Sequence, residues 1–222
     1  MNVAATGVGA AERPRAERMR LRATLREDLS AYRDRTGSRI RWWHFLVLPL
    51  NPALTALVLM RTACWLHSRG VGVLARVVYA FNVYLTGCEI RPEAEIGPGL
   101  FMPHPNGIMM APVRIGRNCI LAPLSGLGAR GGWAEDGMPV VGDNVTIYLH
   151  STVLGPVTVG DDVVIAGYSM VTENVPAGML VAGVPAKLMR PLRADEILRQ
   201  RRPSERARPL PTGDGPRDTS RV

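Results

Sequence analysis

The sequence predicts a parallel β-helix of hexapeptide repeats behind an N-terminal helical segment, and three observations carry that prediction. Branched apolar residues recur at every sixth position, at Val141, Ile147, Val153, Val159, Ile165 and Val171. Four residues after each of the first five stands a small or β-branched residue: Val145, Ser151, Val157, Val163 and Ser169. Aromatic content is only 5% in a chain that is 46% hydrophobic. A helix asks for apolar residues every three or four positions and an ordinary strand for alternation, so a period of six fits neither. Short fixed periods indicate stacked coils, each burying its apolar residues against its neighbours. Three hexads make one triangular coil, whose interior takes Val, Ile and Leu but has little room for rings.

Taken in order, residues 1–19 show no apolar period and are expected to be disordered. Residues 20–35 read as an exposed, charged helix with Leu21, Leu25 and Leu29 on one side. From Trp42 to Met60 no residue is charged, which by length alone would allow a membrane span. Pro49, Asn51 and Pro52 at its middle would break one continuous helix. Two short packed helices are therefore expected, with an in-plane membrane contact through 42–60 as the alternative. Residues 53–68 and 71–84 read as helices separated by Arg69-Gly70, so the helical segment is placed at 20–86. From Cys88 the hexads begin with Ile90, Ile96, Met102 and Ile108, slip by one residue, and resume at Ile115, Leu121 and Leu127. Residues 128–140 leave the period and are expected to form a loop extruded from a coil. The solenoid is placed at 87–190, closed by residues 173–192, and 191–222 is expected to be a disordered basic tail.

Net charge is +8, but it sits in the flanks. Residues 1–41 carry ten Arg against five acids, 190–222 carry nine against five, and the middle is about neutral. A nucleic-acid binder needs its basic face on the folded part, so that class is excluded. Cys64, Cys88 and Cys119 are an odd number without metal-ligand spacing, and no metal site is expected. Together with a polar, Arg-rich start unlike a secretory leader, they point to a reducing cytoplasm, with contact to the inner face of the membrane as an addition.

Four histidines are the main candidates for chemistry. His44 and His67 fall in the apolar helical part and are expected to be packed or interfacial. His104 lies in Pro-His-Pro-Asn-Gly, two residues past Met102, where a coil turns. Prolines on both sides restrict the backbone there. A histidine is the usual general base for a hydroxyl, and works best when a carboxylate holds its other nitrogen. Glu89, fifteen residues earlier, is near one coil length away. The residues alone leave a plain surface histidine as the alternative.

The stretch Cys88-Glu-Ile-Arg-Pro-Glu-Ala-Glu-Ile-Gly-Pro-Gly-Leu-Phe-Met-Pro-His-Pro-Asn-Gly107 resembles the catalytic coil of serine acetyltransferases. Ile115-Gly-Arg-Asn-Cys119, Val141-Gly-Asp-Asn-Val145, Val159-Gly-Asp-Asp162 and Val181-Ala-Gly-Val-Pro-Ala-Lys187 resemble the rest of that hexapeptide-repeat acyltransferase family. The resemblance covers about residues 24–190. It implies a mainly β fold, a left-handed parallel β-helix with an N-terminal helical segment. It implies direct transfer of an acetyl group from acetyl-CoA to a hydroxyl, without metal, between subunits of a homotrimer or a dimer of trimers. His104 then falls on the general base and Glu89 on the orienting carboxylate, which is normally Asp. The cofactor-binding residues implied are Gly128, Gly167, Gly183, Lys187 and Arg190, the last two toward the CoA phosphates, and His150 and Tyr168 are added as cofactor-binding candidates from this chain's own departures. On the acceptor side Met138 falls on a position the family uses, and Arg130 and Asp136 of the same loop are the candidate substitutes, which makes these three the expected substrate-binding residues.

The departures bear on the acceptor. Pro103 replaces the Asp that normally precedes the His, and Gly137-Met138 replaces the Arg-His pair the family uses on the side of serine. Tyr148-Leu149-His150 and Ala166-Gly167-Tyr168 stand where the family has small residues, and Pro123 where it often has Gln. His150 and Tyr168 are eighteen residues apart, so they are expected to stack on neighbouring coils, either lining the acyl or pantetheine path or covering an exposed face. An O-acetyltransferase for serine or a related hydroxy amino acid is the reading. One for a sugar or specialised-metabolite hydroxyl is the alternative, and a non-catalytic solenoid scaffold is the reading from another class.

Overall fold

The structure, a computed structural model, describes residues 20–37, 51–131 and 137–201. Three parallel sheets form the walls of the solenoid, as the period of six requires. The first holds β1 (Glu89–Ile90), β3 (Met109–Met110), β6 (Gly126–Gly128), β9 (Thr152–Leu154) and β12 (Met170–Val171). The second holds β2 (Glu95–Ile96), β4 (Arg114–Ile115), β7 (Val140–Val141) and β10 (Thr158–Val159). The third holds β5 (Ile120–Leu121), β8 (Thr146–Ile147), β11 (Val164–Ile165) and β13 (Met179–Gly183), edged by β14 (Ala186–Pro191), which runs antiparallel to β13. Inward residues stack coil on coil, Leu127 on Val153 and Ile147 on Ile165, and both columns are buried. Gly116 and Gly142 follow inward residues because a Cβ at either would run into the backbone of the next coil.

The predicted slip lies elsewhere than the hexad count placed it. Ile90 pairs with Met110, and Met110 with Leu127, so Met110 and not Ile108 holds the inward position of the first sheet. Ile108 is buried at the preceding corner. From Met102 to Met110 the chain takes eight residues where the repeat asks for six, and from Met110 to Ile115 it takes five. The long step is the His104 turn.

The three corners of the triangle differ. Between the second and third sheets, Asn118, Asn144 and Asp162 take left-handed backbone with φ of 56 to 58°, a conformation Asn and Asp tolerate best among residues with side chains. Their side chains are buried, and Asn118 Nδ2 donates to Asn144 Oδ1 at 3.3 Å. Between the first and second sheets the loop from 129 to 139 is extruded as expected, with 132–136, and so Asp136, outside the described residues. The corner between the third and first sheets carries the candidate chemistry.

Helix α1 (Leu21–Thr36) was expected to be exposed, but Thr24, Asp28 and Ala31 are buried. Asp28 is 0% exposed and faces Arg61 of α2 (Pro52–Ser68), also 0% exposed, in a two-pronged pair with Nε–Oδ2 at 2.7 Å and Nη2–Oδ1 at 3.1 Å. Arg61 also donates to the carbonyls of Ile96 and Gly97, and Asp28 Oδ1 accepts from the amides of Gly99 and Leu100. The further polar contacts of this buried pair tie the helices to the first coil.

Asn51 caps α2 by accepting from the Leu54 amide, with Pro52 in the first turn, where its missing N–H costs nothing. The apolar residues of 53–60 are mostly buried within the protein, which removes that half of 42–60 from any membrane contact. Residues 42–50, with His44, lie outside the described residues, and His67 is exposed at the end of α2 rather than packed. Among the described residues no helix is long and apolar enough to cross a membrane.

Helix α3 (Gly72–Thr86) is inverted. Its polar residues Asn82 and Thr86 are buried against the first coil, while Val73 (82% exposed), Phe81 (55%) and Tyr84 (89%) face outward. The expectation of a disordered tail is corrected over 191–201, and 202–222 lie outside the described residues. Leu192 donates to the Gly178 carbonyl, α4 (Ala194–Gln200) follows, and Arg201 is buried in a pair with Asp162 at 2.7 and 2.9 Å. A mostly polar composition had suggested disorder, but one buried Arg meeting the Asp of a corner anchors the segment.

Removing one partner of a buried ion pair strands the other charge, which costs about 3–5 kcal/mol. Arg61→Ala is therefore expected to lower the unfolding free energy in urea by about that amount. The double variant Asp28→Ala/Arg61→Met should lose less than the two single losses combined.

Candidate active site

His104 sits at the corner between the third and first sheets because its turn is two residues too long for the coil. Phe101 still bridges to Ile120 on the third sheet, and Met109 pairs with Glu89 on the first. The chain between them must bulge outward. Pro105 is buried at the foot of the bulge, and its carbonyl accepts from the Ile108 amide across a tight turn. Gly107 has φ +70°, the sign a type II turn requires at its third residue. The Gly107 amide donates to the Gly87 carbonyl at 2.9 Å, which fixes the turn to the start of β1. The His104 side chain is exposed and makes no hydrogen bond among the described residues.

Glu89 starts the strand beside that turn. It is half-buried, and its Oε1 accepts from the Tyr79 hydroxyl at 3.0 Å. Oε2 has no hydrogen-bond partner among the described residues. Burial first, and then the neighbouring Glu89 carboxylate, push the Tyr79 phenol above its ordinary range. Arg91 lies over the Tyr79 ring at 6.0 Å. Tyr79 is absent from the reading of the sequence. The signal was the spacing Tyr79, Asn82, Thr86, which puts three hydrogen-bonding side chains on one face of an otherwise apolar helix.

Below the His104 turn the same corner continues through Leu124, His150 and Tyr168. The Leu124 amide donates to Asn106, that of His150 to Pro123 and that of Tyr168 to Leu149. All three residues have left-handed backbone, with φ of 61, 56 and 59°. Glycine would hold that conformation free of the roughly 1–2 kcal/mol that a side chain costs there. The His150 and Tyr168 rings stack as expected, centroids 4.7 Å apart at 11°. At about 4.8 Å per coil, the column from the His104 turn to Tyr168 runs about 14 Å down the solenoid. Gly167 lies in it, with Leu149 against the place a Cβ would take.

The other expected site residues do not share this corner. Gly128 ends β6, where its carbonyl accepts from the Gly155 amide. Arg130 donates to the Thr172 carbonyl at 3.1 Å, and Met138 packs on the core, so both belong to the base of the extruded loop. Gly183 and Lys187 lie in the hairpin of β13 and β14, with Lys187 at 3.6 Å from Glu173. Arg190 is held by both oxygens of Glu196 at 2.7 Å. Within one chain, then, the structure gathers His104, Glu89, His150, Gly167 and Tyr168 at one corner. Arg130 and Met138 lie on another, and the cationic residues are at the far end.

No family model matches the chain. It is similar to the serine acetyltransferase of Mycobacterium tuberculosis, 34% identical over 74% of this chain and 72% of that one. Among solved structures it is similar to the serine acetyltransferase of Brucella abortus in complex with coenzyme A. That match has a TM-score of 0.69 at 27% identity and covers 78% of this chain and 68% of that one. It is also similar to the serine acetyltransferase of Neisseria gonorrhoeae in complex with serine, with a TM-score of 0.67 at 27% identity, covering 76% and 69%. The shared architecture is a left-handed β-helix behind a helical segment.

The His104 turn depends on Gly107, since a Cβ there would collide with Leu124 Cδ2 in a backbone region that disfavours one. Gly107→Ala is expected to cost about 1–2 kcal/mol of stability, read by thermal or urea unfolding, and to displace the turn.

Proposed function

Since the chain belongs to the serine acetyltransferase family, we propose that it is an acetyl-CoA-dependent O-acetyltransferase acting on serine or a related hydroxy amino acid, with His104 as general base. The observation that carries this reading is the lengthened corner. It exposes an unpartnered imidazole on a turn whose backbone is bonded to the start of the Glu89 strand, at the head of a column long enough to lie along an extended donor. His104 takes the proton of the acceptor hydroxyl as its oxygen attacks the thioester carbonyl. The carbon–sulfur bond breaks, and the departing thiolate of CoA receives the proton from the imidazolium. Glu89 holds the imidazole and stabilises its charged form, as the carboxylate does in hydrolase triads.

The donor set fits CoA in part. Lys187 is exposed and only loosely paired, so it suits a phosphate. Arg190, held by Glu196, must exchange that partner to serve. Arg130 and Met138 lie at a different corner of the same chain, so the site is completed only if the extruded loop of one copy meets the His104 corner of the next. A trimer of parallel solenoids does this.

One observation favours an uncharged hydroxyl, as on a sugar, as the second reading. The stacked His150 and Tyr168 offer a ring surface at the reaction corner, while the Arg130 guanidinium is directed to the Thr172 carbonyl. A scaffold without catalysis would leave the exposed His104 and its neighbouring carboxylate without a role.

Thiol release from acetyl-CoA with serine, homoserine and sugars as acceptors tests these readings. His104→Ala is expected to lose on the order of a hundredfold or more in kcat. Equal turnover in the two proteins would overturn the assignment. Burial pushes the Cys64 thiol up to about 11 and those of Cys88 and Cys119 up to about 12. At pH 8 the folded protein should therefore give no titre with a thiol reagent, and all three cysteines should react after unfolding in urea.

A further inference from the structure

The inverted face of α3 does more than cover the first coil. Asn82 Nδ2 donates to the Cys88 carbonyl, and Thr86 Oγ1 donates to Asn82 and accepts from the Cys88 amide. These bonds fix the helix to the residue directly before Glu89. One turn up the same face, Tyr79 Oη reaches Glu89 Oε1 at 3.0 Å. The chain carries Glu where the resemblance implies Asp. The extra methylene adds a rotatable bond, and a half-buried carboxylate with two arms of freedom does not by itself stand in one place. The phenol removes that freedom from one oxygen and leaves the other unclaimed.

We propose that Tyr79 is a positioning residue for the reaction: its hydroxyl fixes Glu89 Oε1 so that the longer carboxylate presents Oε2 to the His104 imidazole, as a shorter Asp would do unaided. This rests on the assignment of His104 and Glu89 made above. Tyr79 touches neither acceptor nor donor and acts only through Glu89.

The test uses two readouts. In the first, the imidazole of His104 is titrated by NMR in the full chain, its resonance assigned by loss in His104→Ala. Glu89→Gln should lower the His104 pKa, because a nearby carboxylate favours the imidazolium. Tyr79→Phe should lower it in the same direction and by less. In the second, Tyr79→Phe should reduce kcat by about tenfold with KM for acetyl-CoA unchanged, and move the acid limb of the kcat/KM profile to lower pH. In a Glu89→Asp background the same substitution should change kcat by less than about twofold, since the shorter side chain has no phenol to lose.

A His104 pKa that stays put or rises in Tyr79→Phe, while Glu89→Gln lowers it, overturns the proposal and leaves the Glu89 assignment standing. A His104 pKa indifferent to Glu89→Gln overturns both. A Tyr79→Phe protein that loses stability in urea but keeps the titration and kcat of the wild type assigns Tyr79 to packing alone and also overturns the proposal.

Discussion

Register is the constraint on which the rest of this molecule depends. Each inward residue must lie directly over its counterpart one coil away, because the strands pair side by side in parallel and their hydrogen bonds tolerate no drift. The walls are therefore mostly two or three residues each, and the freedom passes to the corners. A corner can be lengthened, as at His104, or opened into a long loop, as between Gly128 and Val140, provided the next strand returns to register. The step of eight from Met102 and the step of five after Met110 leave a net excess of one residue, and Ile115 still pairs in register with Ile96. Chemistry collects where geometry is least constrained by stacking.

A buried carboxylate paired with an Arg recurs at the same corner near both ends of the solenoid. At the top, Asp28 takes the amides of Gly99 and Leu100 and is neutralised by Arg61. At the bottom, Asp162 is neutralised by Arg201. Arg35 links the two through the carbonyls of Asn118 and Gln200. A terminal coil exposes unpaired backbone and one side of its core. An apolar cover would serve the core alone, whereas a buried carboxylate with its Arg serves the amides as well. Desolvation makes such pairs expensive when isolated, and Asp28 and Arg61 are each met by further partners from the first coil, the condition under which burial is tolerated.

What the sequence disclosed followed from periodicity. Twelve of the thirteen inward positions, the extruded loop, the helices flanking Arg69-Gly70 and the His150–Tyr168 stack were legible because each shows as a fixed spacing. The misreading of Ile108 has a simple cause: both Ile108 and Met110 are apolar and buried, and spacing alone favoured the one in phase. Asp28, Arg61 and Arg201 were illegible, because a charged residue in a charged helix or tail looks like a solvated face until its partner is known. Tyr79 and the inward polar stripe of α3 were hidden by the usual rule that apolar faces point inward. His104 and Glu89 could be paired by turn and coil spacing, but only likeness to a family favoured them over a plain surface histidine. The separation of Arg130 and Met138 from them is a property of corners, which no linear spacing reveals.

The order in which the chain leaves the ribosome gives the buried pair at Asp28 a further meaning. Both partners are made before any coil exists, so α1 and α2 can meet early, with the carbonyls of Ile96 and Gly97 and the amides of Gly99 and Leu100 still to come. Those four groups belong to the first coil, and they find a ready set of donors and acceptors as they emerge. The coils that follow pair only with the one before. The helical segment thus carries, ahead of the solenoid in the chain, the charged groups that the first coil needs to close its exposed backbone.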